Sequence, residues 1–298
     1  MENFFLSTDS TADLYWEEVQ KLNCGFLPLT LTIEKNGQTR FLPDNFKSRQ
    51  EYLDFFEMLK DKSTNISTSK NNTEIHREYF EKLIKAGHKR ILHFTISYGL
   101  ANTIENAYEA ADILKQTYPD FCLKVVESST TTVPQGILVR MAANYRDEGK
   151  SLEEAYNLSE EAKHRLQHFV MVDNLFHLKK GGRVSGTAAT IGTMLRIKVV
   201  LTFDREGKLK VIKKVAGGKH KCIKSILDDI EDFTFAHPNC YFVIVHTGNE
   251  ELATEFANII EQRYHIKPEI RIMGPTIACH VGPGAVAFAF LSNELRPY

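Results

Sequence analysis

Near the C-terminus, His280-Val281-Gly282-Pro283-Gly284-Ala285 combines the residue types that hold an anion. Glycines let backbone N–H groups come close, and a histidine donates to an anion near neutral pH. The segment reads as a tight, Pro-stiffened loop beside a final apolar run, Val286 to Leu291. A carboxylate or a phosphate is the ligand class it suits, and a plain structural turn is the bland alternative. Three further segments place hydroxyls where strands end: Ser7-Thr8-Asp9-Ser10-Thr11, Ser67-Thr68-Ser69 and Thr95-Ile96-Ser97. Taken singly, each is explained by helix capping. In an open α/β sheet the carboxyl ends of the strands face one crevice, so together with His280 they can converge on one anion. Gly181-Gly182-Arg183 adds a guanidinium on a glycine turn, suited to a charged head group, to a docking contact or simply to a local cap.

Catalytic and cofactor templates mostly fail. No G-x-S-x-G elbow and no H-E-x-x-H occurs, and Gly217-Gly218-Lys219-His220 lacks the rest of a phosphate-binding loop. Gly282-Pro283-Gly284-Ala285-Val286-Ala287 formally matches G-x-G-x-x-A, but the sequence ends before the acidic residue such a site needs about 20 positions on. His164 and His168 read as an i,i+4 pair on one helix, without the cysteine or carboxylate that would complete a metal site. A solvated helix end is the simpler account of them. No metal and no cofactor is expected.

The elements that must position these residues alternate. Strand signals at Phe4–Leu6, Phe26–Ile33, Arg90–Thr95 and Leu123–Glu127 are separated by helical patterns at Ala12–Leu22, Phe46–Leu59, Ala101–Lys115 and Pro134–Arg146. Asp61 to Asn72 reads as a polar loop, with Thr73 capping the next helix. That order predicts a mostly parallel sheet with helices on both faces. A capping box, Ser151-Leu152-Glu153-Glu154, opens a helix to about His168. The second half continues with strands at Phe169–Val172 and Lys198–Phe203, a small-residue helix near Thr187–Leu195, a turn at Arg205-Glu206-Gly207 and a return strand, Lys208–Lys213. Two α/β domains are therefore expected, residues 1–150 with a mostly parallel sheet and residues 151–298 with a mixed one. The last loop returns to a ligand site between them.

Composition bounds the function. In 298 residues, 37 basic against 38 acidic side chains leave a formal charge of −1, without the basic excess of a general nucleic-acid binder. The basic stretch Lys208 to Lys221 reads as a solvated hairpin and helix start. The five cysteines are scattered and form no C-x-x-C pair, as befits reduced thiols in a cytosol. Neither a signal peptide nor an apolar run of the roughly 20 residues that span a bilayer is evident. A soluble cytoplasmic protein is the expectation.

In order along the chain, Thr8-Asp9-Ser10-Thr11-Ala12-Asp13-Leu14, Thr68-Ser69, Ile96-Ser97-Tyr98-Gly99-Leu100, Leu178-Lys179-Lys180-Gly181-Gly182-Arg183-Val184, Ile197-Lys198 and His280-Val281-Gly282-Pro283-Gly284 resemble the DegV family of bacterial fatty-acid-binding proteins, the FakB-type lipid carriers. The resemblance implies a DegV-like fold of two α/β domains holding one long-chain fatty acid. It assigns the carboxylate to Thr68, with Ser69 beside it, then Ser97 and His280 with Gly282, and leaves Arg183 to the head group or to a partner. It also implies that the carrier catalyses nothing. A separate ATP-dependent fatty-acid kinase phosphorylates the carboxyl group, and the acyl phosphate enters phospholipid synthesis. Ile191, Met194, Leu195 and the Phe288–Phe290 run are candidate tail contacts, ordinary core packing being the alternative for each. Burying an acyl chain of ~16 carbons is worth on the order of 10 kcal/mol before ordering costs. The sequence departs from the family pattern at Lys70-Asn71-Asn72, at Ala101-Asn102 and around His220-Lys221. The competing expectations are a hydrolase or transferase using His280 as base on a small acyl or phosphorylated substrate, and a lipid sensor read by another protein.

Overall fold

The structure, a computed structural model, describes residues 4–173, 175–184, 197–235 and 241–298. The chain opens with β1 (Phe5–Asp9), a 3-10 turn at Ser10–Ala12, α1 (Trp16–Lys21) and β2 (Cys24–Leu27). The helix expected from Ala12 begins only at Trp16, because Asp13 takes a left-handed conformation (φ 50°) that closes the preceding turn. The single strand expected over Phe26–Ile33 is two strands in different sheets, β2 and then β3 (Thr30–Lys35). Pro28 sits at the break, where it has no N–H to continue a ladder.

Next come β4 (Gln38–Pro43), α2 (Arg49–Lys60), β5 (Thr64–Ser69), α3 (Thr73–Lys85), β6 (Arg90–Thr95), α4 (Ile104–Lys115), β7 (Cys122–Glu127) and α5 (Val133–Asp147). β2, β1, β6 and β7 form a four-stranded sheet in that order, every pair parallel. Each crossover but that between β1 and β2 is long, and helices supply the cover that a parallel sheet requires. β4, β3 and β5 form a separate antiparallel sheet. The polar loop expected over Asp61–Asn72 is thus largely a strand, with Ile33 opposite Ile66 and Leu31 opposite Thr68. Its alternation is carried by Thr, Asn and Ser around one Ile, so hydropathy alone does not reveal it. The cap of α3 is Asn72, whose side chain accepts from Ile75 N at 2.9 Å, rather than Thr73.

Beyond Gly149 follow α6 (Leu152–Lys163), β8 (Leu166–Val172), α7 (Phe176–Lys180), β9 (Ile197–Phe203), β10 (Leu209–Ala216), α8 (Lys219–Asp229), β11 (Val243–His246), α9 (Glu250–Tyr264), β12 (Glu269–Ile272), α10 (Pro275–Val281) and β13 (Val286–Leu291). Ser151 and Glu154 form the expected capping box of α6. That helix ends at Lys163, so His164 and His168 do not share a helix face. His168 is a buried residue of β8, and the solvated helix end expected there does not exist. The six strands run β10-β9-β8-β13-β11-β12, antiparallel except for the parallel β11–β12 pair. The fold is therefore α/β, with one parallel, one mixed and one small antiparallel sheet among the described residues. The helix expected near Thr187–Leu195 lies outside the described residues, as do Ile191, Met194 and Leu195.

One apolar cluster runs through both halves of the chain, joining Leu6, Phe94 and Ile137 to Val170, Val245 and Ala287. Among the described residues, no helix is long and apolar enough to cross a membrane.

Candidate functional site

α10 packs against β5 and β3 of the separate antiparallel sheet. On β5 alternate residues point to opposite sides, which turns Thr68 inward and leaves Ser67 and Ser69 exposed. His280 is not in a loop as expected; it is the penultimate residue of α10, and Gly282 (φ 85°) ends that helix. Thr68 Oγ1 and His280 Nε2 lie 2.9 Å apart. Burial, reinforced by Arg183 and His177, pushes the imidazole down to about 4, so it is neutral at pH 7. The other edge of the ring lies against Gly181, where an added Cβ would be 2.5 Å from His280 Nδ1. Gly181 is thus a glycine of close approach, and it fixes the ring plane.

Arg183 reaches the same place from the turn after α7. Its Nε donates to Leu100 O at 3.1 Å and a guanidinium N–H donates to Gly181 O. Among the described residues no carboxylate pairs with it. Thr68, Arg183 and His280 line one cavity of about 60 Å³, room for roughly four or five waters at ~10–15 Å³ each. Its walls are mostly apolar, including Leu29, Ile96, Val170, Leu178, Phe203, Leu209, Met273 and Ile277, and the charged residues among them are Lys70 and Arg183. Among the described residues no acidic side chain lines the cavity.

The remaining expected residues are placed differently. Ser97, fully buried just after β6, donates its hydroxyl to Gly207 O at 2.6 Å, and its N donates to Thr130 O at 2.8 Å. It fastens the β9–β10 turn to the end of β6, while its neighbours Ile96 and Leu100 line the cavity. Ser69 faces away from the cavity. Gly282 lies behind α10, where a Cβ would come 2.5 Å from the His177 ring, and its carbonyl accepts from Thr247 Oγ1 at 2.7 Å. Phe288 and Phe290 pack with Phe242 and Phe256 in another apolar cluster. Sequence reasoning missed Lys70, Thr131, Thr132 and His168 as lining residues. A signal for two of them was present: Ser128 to Thr132 is an unbroken run of hydroxyls after a strand.

A second cavity of about 200 Å³ reaches His280 from its other side, between Ser67, His177, Lys180 and Cys279. The imidazole therefore borders both cavities, the first mostly apolar and the second of mixed character, with Leu59 and Ile66 beside its polar residues.

A family model described as an uncharacterised protein of the DegV family matches residues 4–293. A DegV domain-containing protein of Clostridium perfringens is 34% identical, with 100% of each chain covered. Among solved structures, a DegV lipid binding protein from Thermotoga maritima superimposes with a TM-score of 0.82 at 25% identity, covering 99% of this chain and 100% of that one. A fatty acid binding DegV family protein from Streptococcus agalactiae gives a TM-score of 0.78 at 26% identity, with 99% and 100% covered.

Proposed function

Because this chain belongs to the DegV family, and because an apolar cavity ends on a Thr–His pair beside a guanidinium, we propose that it binds a long-chain fatty acid. The observation that carries the reading is the composition of that lining among the described residues: aliphatic and aromatic walls, two cationic side chains and no acidic one. The acyl chain takes the apolar walls. The carboxylate takes Thr68 and His280, with Arg183 as counter-charge. A buried carboxylate without such donors would cost several kcal/mol, so the polar end decides where the head group sits. Ser97 joins the head group only by releasing Gly207 O, since a hydroxyl has one proton to donate. Ser69 and Gly282 then act through the backbone geometry of β5 and α10.

We infer further that the protein is a carrier that presents its ligand to a separate ATP-dependent fatty-acid kinase, for acyl phosphate formation and phospholipid synthesis. The second cavity beside His280, with Lys180, His177 and Ser67 in its lining, supports this, because it offers a phosphoryl donor a route to the head group. An enzymatic reading in which His280 is the base is disfavoured. Its Nδ1 edge meets Gly181 instead of an orienting carboxylate, and an imidazole pushed down to about 4 is a weak base.

Native mass spectrometry of the freshly purified protein, with mass analysis of its organic extract, tests the binding. One C14–C18 acid per chain is expected. A protein that is empty and stays empty with a fatty-acid panel overturns the reading. Arg183→Ala then separates two roles: loss of ligand assigns Arg183 to the head group, and loss of kinase binding alone assigns it to docking.

A further inference from the structure

The inner wall of the cavity is built unlike a slot for a plain hydrocarbon. Thr131 is 3% exposed, Thr132 1% and His168 1%, and all three line the cavity. Among the described residues, Thr131 Oγ1, Thr132 Oγ1 and His168 Nε2 have no hydrogen-bond partner. Buried polar atoms are nearly always paired, so three orphans on one cavity wall call for a polar occupant.

These groups are held in place. Thr132 has φ 59° and ψ −142°, a conformation a β-branched residue rarely accepts, and its N donates to Thr11 O at 2.7 Å. The His168 ring is stacked on Phe203, with centroids 5.3 Å apart and planes 13° from parallel. Its Nδ1 lies 3.0 Å from Thr130 Oγ1. That hydroxyl can donate or accept, so His168 Nε2 can present either a proton or a lone pair. Burial, with Arg296 nearby, pushes the imidazole down to about 3 and keeps it neutral.

The two polar regions differ in charge. Arg183 lines the cavity beside His280, whereas Arg296, the charged group acting on His168, is not among the described lining residues and gives two of its N–H groups to Ser129 O and Lys163 O. The inner wall therefore offers neutral donors and acceptors, which suit an uncharged oxygen better than a second carboxylate.

Resting on the fatty-acid reading above, we propose that Thr131, Thr132 and His168 form a second polar subsite that selects long-chain acids carrying a hydroxyl or carbonyl oxygen along the chain. A plain polymethylene chain against this wall leaves the three atoms unpaired, and one oxygen at the right position pairs with them.

The test is isothermal titration of the full chain, stripped of lipid, with octadecanoic acid and with hydroxyoctadecanoic acids whose hydroxyl moves along the chain. In the wild type, one hydroxyl position is expected to bind about tenfold tighter than octadecanoic acid, the measure of one well-made hydrogen bond. Thr131→Val should abolish that advantage and tighten octadecanoic acid severalfold, and His168→Phe provides a second variant should either fail to fold. The subsite is overturned alone if octadecanoic acid binds and no hydroxyl position gains, or if the gain survives in both variants; ordered water then serves these atoms. If no acid of the panel binds, the fatty-acid reading fails and takes the subsite with it.

Discussion

Thr68 and His280 are 212 positions apart in sequence and share one hydrogen bond at the proposed head-group site. Among the described residues, neither side chain makes a second hydrogen bond. Removing the hydroxyl in Thr68→Val should cost about 1 kcal/mol of stability. The same change should weaken fatty-acid binding roughly tenfold, as should His280→Ala. Because the two groups act as a unit, the double variant should be scarcely weaker than His280→Ala alone. Titration calorimetry on the three variants measures this, and additive losses would show that the groups contact the ligand independently. The imidazole also predicts a pH effect. Its folded value near 4 lies below the ordinary 6.5, so the unfolded chain binds the extra proton. The resulting stability is complete above about pH 6.5 and is lost as pH falls toward 4. Asp44, pushed up to about 6 by burial, has the opposite sign in that window, so the comparison must be between variants. His280→Gln should flatten the acid-side slope of urea unfolding by up to one proton, about 1.4 kcal/mol per pH unit. A slope identical to wild type would show that the ring is solvated.

At the scale of elements, the site depends on contacts that join distant segments. Asp44, after β4, accepts from Thr276 Oγ1 at 2.5 Å and Thr276 N at 3.3 Å, fixing the start of α10 and hence the height of His280 over β5. Ser97 ties β6 to Gly207 (φ 73°) in the β9–β10 turn. An alanine at Gly207 would place its Cβ 2.2 Å from Ser97 Oγ and 3.0 Å from Ser129 Cα. Gly207→Ala should therefore destabilise the protein by more than about 1 kcal/mol, the usual scale of a strained left-handed residue. Ser97→Ala should cost about 1–3 kcal/mol, since it leaves Gly207 O buried and unpaired. Chemical denaturation reads both, and a neutral Ser97→Ala would mean that water replaces the hydroxyl. The same contacts explain what the sequence did and did not disclose. The α/β alternation and the α6 capping box were legible, because periodicity and capping are local. β5 was not, since its pairing with β3 is stabilised across the chain and its own residues are mostly polar. His168 was assigned to a helix end because nothing nearby reveals that β8 begins at Leu166. Thr68, Arg183 and His280 could be picked out by type and motif. Their common cavity, and the hydroxyls of Thr131 and Thr132 within it, follow from packing that no spacing records.

Across the whole molecule, the cavity lies on a seam that the core itself spans. Its walls come from the ends of β6 and β7, from β8 and β9, and from α10, and the principal apolar cluster continues through all of them. The seam is also bound by charge: Arg271, almost fully buried, pairs with Glu18 and Glu269 and donates to Asp13 O, while Arg140 bridges to Glu18 and Glu269. Parting the walls at the cavity, for a ligand larger than its volume of about 60 Å³, therefore works against cohesive packing. A ligand that fills the enlarged space binds only the folded chain, since an unfolded chain has no such cleft. Mass action then fixes the size of the effect: free hexadecanoic acid at a hundred times its Kd should raise the unfolding free energy by about 2.7 kcal/mol. Because one cluster carries the core from sheet to sheet, circular dichroism and the fluorescence of Trp16, which packs against that cluster, should report the same shifted midpoint. At the same free concentration His280→Ala, with its weaker head-group hold, should be stabilised by about 1.4 kcal/mol less, the equivalent of a tenfold change in Kd. Equal stabilisation of wild type and variant would place the carboxylate elsewhere in the cavity. Stabilisation seen by one probe and not the other would mean that the seam opens independently of the core, with ligand closing the seam and leaving global unfolding untouched.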